Sequence, residues 1–434
     1  MSCEGRSLML PKFPTLFPIL FLTVGLWCTG TCSAARGALE APAAGDYAVR
    51  FEAELKPSRG VGVVALRVAQ SQAALRELRI ALPEPEYAFL SADGEFSRTG
   101  DEVRWQVPPR GGVLRYEHRV RHVREAGEID AELSREGALF RGDDLFPPVR
   151  TRFIKGAQAR AEVLLNVPKG WSAWTQYGAM TDGPQPVVHA GTRFPRPTGW
   201  MIAGRLGVRL DEVADRTFAV AAWQGSGVRR NDVLAFLRLH FAPMLAVTQR
   251  FPERLLVVSA DDPFWRGGLS ARRSFYLHAD RPLISENGTS TVLHELFHVA
   301  FGLHAEPGAD WLIEGFAEYY SLELMRRRGT ISERRFAAAV ERLRDWGRQA
   351  PRLDVRNSKG PVTARAVTVL ADLDAVWAES EVARAERLDR VVAALAAAGE
   401  PLTLKRFQSS LRAAQAPAAV FDQLEASMAP TAAD

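Results

Sequence analysis

His294, Glu295 and His298 stand in the spacing H-E-x-x-H within Thr291-Val-Leu-His-Glu-Leu-Phe-His298. On an α-helix, residues four apart share a face, so both imidazoles reach one ion while the glutamate between them projects beside it. That layout suits a catalytic zinc. Three protein ligands leave a fourth position for water, whose pKa falls to about 7 there, and a nearby carboxylate takes its proton. Glu295 is the candidate base. The flanking Val292, Leu293, Leu296, Phe297, Val299, Ala300 and Phe301 are apolar, so the motif is expected on a buried helix. Two core histidines satisfied by neighbours are the competing reading, but one ion would satisfy both imidazoles at once.

A third ligand is then required. Trp311-Leu-Ile-Glu-Gly-Phe-Ala-Glu-Tyr-Tyr320 follows a short Gly- and Pro-containing loop and reads as a second helix, with Asp310 as N-cap and Gly329 closing it after Arg326, Arg327 and Arg328. Glu314 and Glu318 are four apart on it. Two uncompensated carboxylates on one face of an apolar segment repel, and a cation between them and the histidines removes that repulsion. Glu314 is therefore the expected third ligand of one Zn2+. Glu318 is the expected acceptor from a ligand imidazole, His294 first, fixing its tautomer.

These two segments resemble the gluzincin metallopeptidases, and within them the aminopeptidase N and glycyl aminopeptidase groups. The resemblance covers roughly residues 254–325, and it implies the same roles for Glu314 and Glu318. The gap from His298 to Glu314 holds 15 residues, shorter than the families lead one to expect. Two further departures bear on chemistry. Aminopeptidase N relatives carry an upstream Gly-x-Met-Glu-Asn segment whose glutamate holds the substrate amine. The corresponding stretch, Arg266-Gly-Gly-Leu-Ser-Ala-Arg-Arg-Ser-Phe-Tyr-Leu-His278, has no acidic residue. Arg272 and Arg273 would favour carboxylates or carbonyls there, or face solvent. The families also place an oxyanion-stabilising tyrosine downstream of the third ligand, and this chain has no Tyr after Tyr320. Arg365, Lys359 or the upstream Tyr276 are the candidate donors in its place.

The rest of the chain must position these groups. Residues 1–34 read as a secretory signal: Arg6 and Lys12 precede an apolar run from Phe13 to Trp27, and Cys32-Ser-Ala-Ala35 offers small residues for cleavage. The alternative is an uncleaved inner-membrane anchor, but Pro14 and Pro18 break the run and argue against a stable span. All three cysteines, Cys3, Cys28 and Cys32, fall inside this segment. Secretion or a bacterial periplasm without disulfides is the expectation, and cysteine ligation of zinc is excluded. A net charge of +4 over 434 residues, without basic blocks interleaved with aromatics, gives no sign of nucleic-acid binding.

From 45 to 223 apolar residues alternate with period two, as in Tyr47 to Leu55 and Val61 to Val68, with Gly and Pro turns between, which predicts a β-rich sandwich or saddle. His118 and His122 share one face there, either as plain cross-strand neighbours or as a second metal site. Residues 231–329 are expected to form a thermolysin-like α/β zinc catalytic domain, with a helix from Asp232 to Arg250. Arg254 to Ser259 is its buried strand. Ser274, Phe275 and Tyr276 open a second strand, read as the sheet edge that receives an extended peptide. Residues 330–434 carry amphipathic helical spacing near 333–348, 362–378, 381–398 and 402–414, with a frayed Ala-rich tail after Ala416.

The fold class is thus an α+β multidomain chain. The function it supports is a secreted zinc metallopeptidase acting on peptide or protein substrates as an endopeptidase or with narrow specificity. An aminopeptidase and a catalytically silent, zinc-bound peptide-binding protein are the alternatives.

Overall fold

The computed structural model describes residues 39–189, 191–380 and 387–429, so the expected export signal at 1–34 lies outside the described residues. Those described fall within one compact unit, Leu39–Asp434. None of their helices is long and apolar enough to cross a membrane.

Period two becomes strands in the N-terminal half. In Val61–Gln70 every second residue is buried, and the strand pairs antiparallel with both Tyr47–Lys56 and Gly111–Arg119. Two six-stranded sheets and one four-stranded sheet form there among the described residues. Trp105, Tyr116, Phe140 and Phe146 fill their shared core. His118 and His122 sit on different sheets. His118 stacks on Tyr87 at 4.6 Å between centroids, and His122 Nδ1 meets Asp130 at hydrogen-bonding range. Neither belongs to a group of three metal-binding side chains among the described residues.

The hairpin that precedes the expected boundary at Trp223 joins the sheet that follows it. Leu206–Val213 and Arg216–Trp223 make an antiparallel hairpin, and Arg216–Trp223 then pairs in parallel with Arg254–Ala260. Both strands therefore belong to the five-stranded sheet that carries the site. Alternation shows that a segment is a strand; it does not show which sheet the strand joins.

The edge strand also differs from expectation. Ser274–His278 is internal, parallel to Arg254–Ala260 on one side and antiparallel to Gly268–Ala271 on the other. All five of its residues are buried. The sheet ends instead at Gly268–Ala271. Arg272 and Arg273 make the turn between the two, with Arg273 at φ +53°. An apolar run buried on both faces belongs inside a sheet, and this one has cover on both. Phe275 and Leu277 pack into the core that holds the H-E-x-x-H helix, whereas Tyr276 lies against Trp200, 5.5 Å between centroids, from the N-terminal half. Trp200 also reaches the edge strand, donating from Nε1 to the carbonyl of Leu269 at 2.8 Å.

After the second motif helix the described chain runs through Glu333–Gly347, Pro361–Ala378, Leu388–Ala398, Leu404–Ala413 and Ala418–Met428. The beginning of the helix expected from 381 lies partly outside the described residues. Ala418–Met428 replaces the frayed tail expected after Ala416. Val420 and Leu424 anchor it, both fully buried, and Arg365 ties down its end.

Candidate metal centre

Thr291–Phe301 forms the H-E-x-x-H helix, capped by Ser290, whose hydroxyl accepts from the Leu293 amide, and closed by Gly302 in the left-handed conformation at φ +62°. Its neighbour is Asp310–Arg327. Asp310 is the first residue of that helix and not its cap; its carboxylate accepts from the Ser358 amide at 2.6 Å. Gly315 lets the next helix, Pro361–Ala378, come close: a Cβ there would sit 2.8 Å from that of Ala366. The Glu-Gly pair thus seats Glu314 on a helix pinned from behind.

The two helices bring His294, His298 and Glu314 together. Nε2 of His294 and Nε2 of His298 are 3.0 Å apart, Glu314 Oε2 is 3.3 Å from the first and Oε1 is 3.5 Å from the second. Ligands about 2.0–2.1 Å from a tetrahedral zinc are separated by about 3.3 Å, so this trio fits one zinc ion in both spacing and donor type. Among the described residues it is the group of metal-binding side chains close enough to share an ion. His294 Nδ1 donates to Glu318 Oε2 at 2.8 Å. The hydrogen bond leaves the Nε2 lone pair aimed at the trio's centre.

The charges respond to this crowding. Burial opposes a charge on His294, yet Glu314 and Glu318 hold its imidazolium well above the usual histidine range. Burial, then the neighbouring His294, lowers His298 to about 4. Burial would raise Glu314, but the His294 hydrogen bond and both imidazoles keep its carboxyl below the ordinary range. Glu295, 6% exposed, is outside the trio. Burial pushes its carboxyl up to about 7, with His294 working against that rise and Ser270 hydrogen-bonded to it. Such a group holds a proton as readily as it gives one up near neutrality.

Three further residues matter here. Gly268 approaches Glu295 so closely that a Cβ would lie 2.8 Å from its Cγ. Ser270 touches the same carboxyl, and Trp200 fixes Leu269 between them. The Gly267-Gly268 pair carried the sequence signal for the first, since paired glycines on a strand mark close approach. Nothing local signals Trp200.

Two of the three expected oxyanion donors, Tyr276 and Arg365, are held by partners away from the centre. Tyr276 is buried on the opposite face of the sheet and donates to the Trp265 carbonyl at 2.8 Å. Arg365 donates to the carbonyls of Ala350, Ser427 and Ala429, each at 2.8 Å, and so serves as a C-terminal clasp. A buried guanidinium without a carboxylate takes carbonyl partners, which the sequence does not reveal. Lys359 is exposed.

No protein-family model matches the chain, nor does any curated protein. Solved structures do. An aminopeptidase N family protein from Idiomarina loihiensis superposes with a TM-score of 0.65 at 14% identity, covering 89% of this chain and 77% of that one. The M1 zinc metallopeptidase from Deinococcus radiodurans gives 0.57 at 16% identity over 90% and 94% of the two chains. The chain has the M1 zinc metallopeptidase fold. A mutant of the Deinococcus protein bound to the substrate Tyr-Ser-Ala gives 0.57 at 15% identity, covering 90% of this chain and 95% of that one. The M1 likeness extends over the β-rich half as well as the two motif helices, well beyond the stretch legible by resemblance.

One prediction belongs with this candidate centre. Glu318→Ala is expected to weaken zinc binding by about 10–100-fold through loss of the His294 tautomer lock. Competition against a chromophoric chelator measures it, and unchanged affinity would remove Glu318 from the site.

Proposed function

We propose that the protein is a zinc-dependent peptidase. The observation that carries this reading is the His294, His298 and Glu314 trio at the spacing of zinc ligands, with the buried Glu295 carboxyl held by Ser270 outside it. A protein that only grips peptides has no use for a poised base. A zinc ion held by the trio would supply Lewis acidity to water and to the scissile carbonyl. The chain's own residues supply the rest. The open edge of Gly268–Ala271 pairs with an extended peptide backbone and aligns it. Glu295 takes the proton of the attacking water and returns it to the leaving amine. The two motif helices beneath a mixed sheet support a thermolysin-like reading of this half.

The likeness in fold to an aminopeptidase N family protein supports removal of N-terminal residues over internal cleavage. An ammonium needs an acid, and the edge strand has none. Asp144 is the group we assign. It lines a cavity of about 340 Å³ that touches the edge strand at Leu269. The zinc-loaded full chain, given a mixture of peptides with free and acetylated N-termini, is expected to trim single residues from free ends alone, and to stop when a chelator is added. Mass spectrometry reads the products. Internal cuts in acetylated peptides would restore the endopeptidase, and intact peptides with zinc bound would leave the silent binder.

Export to a periplasm is part of the same proposal, supported by Arg6, Lys12 and the confinement of cysteine to the first 32 residues. Cell fractionation with N-terminal mass analysis checks it; a full-length cytoplasmic chain would overturn it.

A further inference from the structure

His298 opens on a cavity of about 640 Å³ whose walls carry Arg141, Arg250, Arg272 and Arg273. Among the described residues that line it, none is acidic. Arg272 and Arg273 have no ion-pair partner among the described residues. Arg141 reaches Asp143 at 3.5 Å, but its Nε is buried without a hydrogen-bond partner. Arg250 donates to the Ala396 carbonyl at 2.6 Å, which neutralises no charge. Burial and the neighbouring Arg273 hold Arg272 below the usual guanidinium range.

Four cations around one concavity repel one another and lower the potential energy of any anion that enters. Ser270 and Ala271, at the end of the edge strand, line the same cavity. A peptide paired with that strand therefore has one end delivered among the arginines. A free ammonium would be repelled there; a carboxylate would gain charge-assisted, bidentate hydrogen bonds. Arg141 lines both this cavity and the one that holds Asp144, so opposite charges on one short substrate have neighbouring places to go.

We propose that the arginine-lined cavity beside His298 binds a carboxylate of the substrate peptide, making acidic or short free-acid peptides the preferred class. The proposal rests on the peptidase reading for the identity of its ligand. The carboxylate comes either from an Asp or Glu side chain or from the peptide's own C-terminus, and the test separates the two sources.

Binding is measured by calorimetry on the zinc-loaded full chain carrying Glu295→Gln, so that nothing is cut. The probes are amidated tetrapeptides with N-terminal Glu or Gln, and alanine tripeptides ending in free acid or amide. At least one acid-bearing member is expected to bind about tenfold tighter than its neutral twin, and the pair that shows it identifies the source. Arg272→Ala combined with Arg273→Asn should abolish the preference; asparagine tolerates the left-handed backbone at residue 273. Equal binding within both pairs, or a preference unchanged in the double variant, overturns the proposal. The same peptides given to the wild-type chain keep the two readings apart. An acid preference without turnover sinks the peptidase alone, and turnover without acid preference sinks the carboxylate site alone.

Discussion

Replacing Glu295 with glutamine is expected to slow peptide hydrolysis by on the order of 10²- to 10⁴-fold while zinc stays bound at full stoichiometry. Glutamine has the same shape and keeps a carbonyl for Ser270, so the helix and the edge strand stay in place. It cannot accept the proton. Glu295 stands outside the His294, His298 and Glu314 trio, so its loss leaves every ligand untouched. Steady-state rates on a peptide that the wild type cuts, with metal content by elemental analysis, measure both halves of the expectation. An undiminished rate would place the base elsewhere.

Gly268→Ala is expected to cost about 10²-fold in kcat, again with zinc retained. The added methyl carbon would stand 2.6 Å from Thr291 Cγ2, 2.8 Å from Glu295 Cγ and 2.9 Å from Glu295 Oε1. Those separations lie far inside van der Waals contact, so something must move. Thr291 opens the motif helix and Gly268 is held by the sheet, which leaves the Glu295 carboxyl as the part most able to yield. A base displaced by about 1 Å loses its alignment with the attacking water. None of the three atoms nearest the added methyl belongs to His294, His298 or Glu314, so the ligands are expected to stay. Wild-type kcat in the alanine variant would show that the strand does not set the position of Glu295. Loss of zinc would show that it shapes the ligands as well.

How much of this was legible beforehand follows from the range of each signal. The i to i+4 spacings of His294 with His298 and of Glu314 with Glu318 are helix geometry, and helix geometry is local. The structure accordingly places His294, His298 and Glu314 around one point, with Glu318 behind His294 and Glu295 beside the trio. Sheet membership is set by long-range pairing. The edge was therefore misassigned from Gly268–Ala271 to Ser274–His278, and the hairpin 206–223 was placed in the wrong half. A side chain's hydrogen-bond partner is less legible still. Tyr276 and Arg365 have the right chemistry for an oxyanion and lie at the wrong places, one under Trp200 and the other against the last helix. The gathering of arginines needs three separate segments to converge. No window of sequence holds more than two of them.

The unpaired margin of Gly268–Ala271 has a bearing on which molecules reach the centre. An open strand edge recruits any other strand, including one from a second folded protein, and self-association is its ordinary hazard. This one is four residues long and ends in two arginines at the turn. Trp200 ties it from behind through the hydrogen bond to the Leu269 carbonyl. A folded sheet brings neighbouring strands with it, whereas a single loose chain pairs alone. On the proposed peptidase reading, this edge would take a single extended chain, such as an unfolded tail or a short fragment, in preference to an intact neighbour.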